Sequence, residues 1–159
     1  MDLMRVLHYA LEREREGKAF FVANANRLQN AAAAHAFKAI ADEEQRHIDF
    51  ILSQIAAHSG QEAPAPSLPP AGFFADRADS EAIEQTVSES MVADLPVLRM
   101  AYLIERDFSE FYADAAAKAD GEAQKVLEML SKWESGHEKL FKRLHDEAYE
   151  LYSNMPWGG

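Results

Sequence analysis

Asp42-Glu43-Glu44-Gln45-Arg46-His47 and Lys132-Trp133-Glu134-Ser135-Gly136-His137 are the two stretches that decide the reading of this chain. Each contains a Glu-x-x-His pair, and each pair follows a lone glutamate. Glu14 lies 30 residues before Glu44, and Glu105 lies 29 residues before Glu134. Residues i and i+3 of an α-helix project from the same side, so one Glu-x-x-His pair can reach a common ion. Four carboxylates and two imidazoles spread over four helices are the ligand set that holds two iron or manganese ions inside a four-helix bundle.

The competing explanation is surface charge, since the chain has 27 acidic residues and six histidines. Helical faces decide between the two. Leu7, Glu14, Phe21 and Leu28 are each seven residues apart, so they form one stripe with Glu14 interrupting an apolar row. Phe37, Ile40, Glu44, His47 and Ile51 follow the 3-4-3-4 spacing of a buried seam. Leu98, Ala101, Glu105, Phe108 and Tyr112 make the third row, and Leu127, Leu130, Glu134, His137, Phe141 and Leu144 the fourth. Every candidate ligand stands where a core hydrophobe belongs. Glu12, Glu16, Glu43, Glu110, Glu128 and Glu138 fall off these rows and read as solvated charge. Buried carboxylates are prohibitively costly without compensation. No Lys or Arg lies on the four rows, whereas two cations would keep the carboxylates ionised and the imidazoles neutral. Carboxylate-rich ligation with some imidazole suits iron or manganese better than zinc.

Helical periodicity extends over four segments, about 3–28, 31–57, 94–120 and 122–152. Ser59-Gly60 is a stop signal, and Asp94-Leu95-Pro96 predicts a start, with Asp94 as N-cap and proline in the first turn. Residues 61–79 hold four of the six prolines and cannot be continuous helix, while 80–90 reads as a short extra helix. The connections are thus short, long and short. The organisation is one domain over 1–159: a first helical hairpin (1–60), a crossover (61–93), a second hairpin (94–153) and a tail (154–159). The prediction is an all-α, ferritin-like four-helix bundle of two antiparallel hairpins joined by one long crossover. The halves align with each other, as a duplicated hairpin would.

A net charge of −11 disfavours nucleic acid or an anionic membrane as partner. Cysteine is absent from these 159 residues, which excludes disulfides, Fe–S clusters and a cysteine nucleophile within them. Met1-Asp2-Leu3-Met4-Arg5 does not open a secretory signal, and no uncharged apolar run approaches the ~20 residues that span a bilayer. The expected location is the cytoplasm.

Ala10-Leu11-Glu12-Arg13-Glu14 through Phe20-Phe21 resembles the opening helix of rubrerythrin-like proteins, and Phe37 through His47 resembles their second helix. Ile104-Glu105 through Phe111-Tyr112 and Trp133 through His137 repeat the pattern, so the resemblance covers essentially the whole chain. It implies two iron ions, with manganese or a mixed pair as the alternative. Glu44 and Glu134 would bridge them, and Glu14, His47, Glu105 and His137 would be terminal ligands. It implies oxidation of the diferrous pair by hydrogen peroxide or O2, with Tyr112 hydrogen-bonding a carboxylate such as Glu14. It also admits a homodimer with exchanged crossovers alongside a monomer. Three departures stand out. No four-cysteine rubredoxin-like site lies in these residues, so an electron donor would be a separate protein or would not exist. Phe108 stands where peroxide-reducing members commonly carry a second glutamate, and Phe21 stands where a second tyrosine is usual. Two other readings stay open: a ferroxidase or iron carrier, and a sensing or binding module that uses the proline-rich crossover and the Pro156-Trp157 tail.

Overall fold

The computed structural model describes residues 3–60 and 90–156. They form four helices, α1 (Leu3–Ala25), α2 (Ala31–His58), α3 (Ser90–Ala116) and α4 (Gly121–Asn154), with no strand among the described residues. The architecture is an all-α, ferritin-like four-helix bundle. No helix among the described residues is long and apolar enough to cross a membrane. Most of the expected crossover, its short helix over 80–90 apart from Ser90, and Trp157 lie outside the described residues.

The apolar rows dictate the assembly. α1 pairs chiefly with α2 and α3 with α4, and the two hairpins close on each other through α1 with α3 and α2 with α4. Asn30 caps α2, its side chain accepting from the Ala33 N–H at 3.0 Å. At the far end Gly60 takes a φ of 76°, a left-handed conformation that ends the helix without a Cβ penalty.

The start of α3 corrects the sequence reading. It begins at Ser90, so Asp94 is its fifth residue and not its N-cap. Pro96 sits inside the helix with its ring exposed, where the hydrogen bond it cannot donate is lost at the solvent face. Asp94 is buried and turned to another task. Its carboxylate accepts the Asn30 N–H at 2.9 Å and the Gln29 N–H at 2.9 and 3.2 Å, clamping the α1–α2 turn. α1 likewise ends three residues earlier than expected, because this turn pulls Asn26, Arg27 and Leu28 out of the helix.

That clamp fixes the topology. The starts of α2 and α3 lie together, so these two helices run parallel, and the end of α2 and the start of α3 are at opposite ends of the bundle. Asp94→Ala leaves two backbone donors without their acceptor and is expected to cost about 1–3 kcal/mol. Asp94→Asn, which keeps one acceptor oxygen, costs less. Urea denaturation of the metal-free protein measures both.

Two apolar clusters fill the bundle. Phe21, Phe37 and Phe141 interlock near the α1–α2 turn. Phe21 stacks on Phe141 at 5.2 Å, and Phe37 meets both edge-on. Leu7, Ile51, Tyr112, Leu127 and Leu130 pack near the other end. Between them lies a layer that is not apolar.

Candidate metal centre

Glu14 of α1, Glu44 and His47 of α2, Glu105 of α3, and Glu134 and His137 of α4 meet in that layer. The four glutamates are fully buried and the two histidines nearly so. Each helix brings its share because the candidate ligands replace one member of the apolar row in α1 and α3 and two in α2 and α4, and the row must face inward. The residues sort into two sets whose ligand atoms lie within 4.8 Å of one another: Glu14, Glu44, His47 and Glu134; and Glu44, Glu105, Glu134 and His137. Glu44 and Glu134 belong to both.

Both rings turn Nδ1 inward. His47 Nδ1 hydrogen-bonds Glu14 Oε2 at 3.2 Å. It also lies 2.8 Å from Glu134 Oε1, without the angle of a hydrogen bond. His137 Nδ1 lies 3.3 Å from Glu44 and 3.4 Å from Glu105 and Glu134. Both oxygens of Glu44, Glu105 and Glu134, and His137 Nδ1, have no hydrogen-bond partner. Buried polar atoms are rarely left so. Seven of them pointing at one volume, six carboxylate oxygens and an imidazole nitrogen, are the donor set of oxygen-preferring redox cations such as iron or manganese. The residues fit a metal pair.

Electrostatics agree. Burial, reinforced by the charges of Glu134 and Glu14, holds the Glu44 carboxyl well above the usual range. Burial also raises Glu105, against the pull of His137 and with help from Glu44 and Glu134. For His47, burial alone favours the neutral ring, but Glu134 and Glu44 outweigh it and raise its pKa. His137 is raised likewise, burial being overcome chiefly by Glu105. Glu134 goes the other way: burial opposes its charge, but His47 and His137 hold it well below the ordinary carboxylate range. Without cations the centre retains protons in their place.

Four surrounding side chains complete the site. Tyr112 is buried and donates its hydroxyl to Glu14 Oε1 across the bundle. Burial first, then the Glu14 charge, pushes its phenol well above the ordinary value, so it stays a donor. Glu43 corrects the sequence reading. It is not solvated charge but a buried carboxylate whose Oε2 takes the His137 Nε2–H at 2.6 Å. Counting rows down one helix missed it, because Glu43 sits one residue off its row and reaches sideways to α4. Its counterpart in the second half, Trp133, is the signal that could have exposed it. Trp133 stacks on His47, with centroids 4.8 Å apart and planes 13° apart. Phe108 is half-buried beside the centre. Gly17 makes room for it: a Cβ there would meet Phe108 at 3.0 Å and Glu44 Oε2 at 3.8 Å.

The remaining histidines stay outside. His8, His35 and His58 are exposed, and His145 packs against Tyr102 and Tyr149 away from the centre. Among the off-row acids, Glu12, Glu16, Glu110 and Glu128 are exposed, and Glu138 is partly buried in an ion pair with Arg106 at 2.8 Å.

A family model described as rubrerythrin matches residues 5–145. No curated protein and no solved structure matches the chain.

Proposed function

The chain belongs to the rubrerythrin family, and on that premise we propose that its buried centre holds two iron ions and is oxidised by hydrogen peroxide. The observation that carries this reading is the pair of overlapping ligand sets sharing Glu44 and Glu134, with their oxygens otherwise unpartnered. A ferrous pair supplies, when bound, the two electrons that cleave an O–O bond, peroxide and two protons yielding two waters.

The chain's own residues set the conditions. Glu43 holds the His137 ring with Nδ1 inward, and Trp133 stacks against the ring of His47. Tyr112 keeps a proton aimed at Glu14 Oε1 and fixes that carboxylate's orientation. The apolar clusters above and below bury the centre and keep its carboxylates away from bulk water. Electrons to restore the ferrous state come, on this reading, from outside these residues, which contain no thiolate iron site.

A stopped-flow comparison tests the proposal. The protein is loaded anaerobically with two equivalents of Fe(II) and mixed with peroxide or with O2, and ferric absorbance is followed. Faster oxidation by peroxide, with both irons retained, supports it. Preference for O2 with further iron uptake replaces it with a ferroxidase, and failure to bind iron ends it. Tyr112→Phe is expected to retain both irons and to slow peroxide-driven oxidation by about tenfold, the low end for loss of an outer hydrogen bond.

A further inference from the structure

Besides Gly17 and Phe108, the duplicated halves of the centre differ at two pairs of equivalent positions whose side chains meet a residue of one ligand set and not of the other. The residue before each Glu-x-x-His is Glu43 in one half and Trp133 in the other, and each meets the histidine of the opposite half. His137 therefore has a carboxylate on Nε2 at 2.6 Å. His47 has an indole face, and no carboxylate on Nε2 among the described residues. The residue seven after each lone glutamate is Phe21 in one half and Tyr112 in the other. Glu14 accordingly has an oxygen engaged by the Tyr112 hydroxyl, while neither oxygen of Glu105 is hydrogen-bonded.

Both differences bias ligand strength in the same direction. An imidazole whose outer N–H is held by a carboxylate is the stronger donor at its inner nitrogen. A carboxylate that accepts a hydrogen bond has given up part of its donor capacity, and one that accepts none keeps all of it. Glu105 and His137 fall in one ligand set, and Glu14 and His47 in the other. The bridging carboxylates are common to both and cannot favour either.

We infer that the two halves fill in order. The Glu105–His137 half takes the first divalent cation. The Glu14–His47 half takes the second at least about tenfold more weakly, the scale on which outer contacts tune metal affinity. Glu43 is the positioning residue that sets this order. The inference rests on the reading of the centre as a two-cation site.

Calorimetric titration of the full chain with Mn(II) under argon tests it. The parent protein is expected to show two resolved steps. Glu14→Ala keeps the tight step and loses the weak one, whereas Glu105→Ala does the reverse. Glu43→Gln weakens the tight step by about tenfold and leaves the weak step in place, a selectivity that general loss of structure would not produce. Two equal steps, or loss of the tight step in Glu14→Ala and not in Glu105→Ala, overturn the inference and leave the two-cation centre standing. Absence of any Mn(II) binding by the parent overturns both.

Discussion

Glu44→Leu is expected to abolish retention of the metal pair and at the same time make the metal-free protein more stable. Glu44 serves both ligand sets, so its loss removes a donor from two cations at once. The expected weakening exceeds about 100-fold per equivalent, beyond what altering an outer contact produces. Stability moves the other way because a buried carboxylate with no hydrogen bond on either oxygen is a liability in the absence of a cation. Its charge is opposed by burial and by Glu134 and Glu14. Leucine has similar volume and continues the row of Phe37, Ile40 and Ile51, all fully buried. Exchanging buried ionic groups for well-packed apolar ones is often stabilising by about 1–4 kcal/mol. Equilibrium dialysis against Mn(II) and urea denaturation in EDTA measure the two effects. A polar cluster kept only for structure would respond oppositely, and a less stable metal-free Glu44→Leu protein would count against a centre built for cations.

Much of this was legible in the sequence, for one physical reason. A helix in a small bundle has to bury one stripe, so a glutamate at the seventh place after Leu7, or between Ile40 and Ile51, has nowhere else to go. Leu7, Glu14, Phe21, Phe37, Ile40, Glu44, Ile51, Leu98, Glu105, Leu127, Leu130 and Glu134 are all buried in the bundle. What escaped the reading lay between helices. Asp94 reads as a local cap because Asp before proline usually is one, yet its partners are 64 and 65 residues away at the α1–α2 turn. Glu43 reads as surface because it is one residue from its row, yet its partner is 94 residues away. Periodicity reports which way a side chain leaves its own helix. It carries no information about the neighbour a long side chain finds at the edge of that face.

The metal-free protein is expected to lose stability as pH rises from about 5.5 to 7.5, while the metal-loaded protein does not. Glu44 and Glu105 are raised well above the ordinary 4.5, and His47 and His137 well above the ordinary 6.5. The native metal-free state thus keeps protons that the unfolded chain gives up, and stability must fall with pH. The carboxyl contribution is fully present below 4.5 and is lost as pH climbs through the raised values; the histidine contribution is fully present below 6.5 and is lost in the same sense. Glu134 has the opposite sign, but its contribution is lost only below its ordinary 4.5, outside this interval. Each proton retained only by the native state tilts stability by about 1.4 kcal/mol per pH unit. Bound cations take the place of those protons, so loading releases protons and tightens as pH rises. Urea denaturation at pH 5.5, 6.5 and 7.5, with EDTA or with Mn(II), checks the first part. Calorimetry in buffers of different ionisation enthalpy counts the protons released. The net charge of −11 adds surface repulsion that also grows with pH. Salt screens that contribution and leaves the buried one, so the slope of the metal-free protein persists at about 0.5 M NaCl. Metal-free protein that grows more stable across this interval would show that the buried acids and imidazoles do not hold the protons assigned to them.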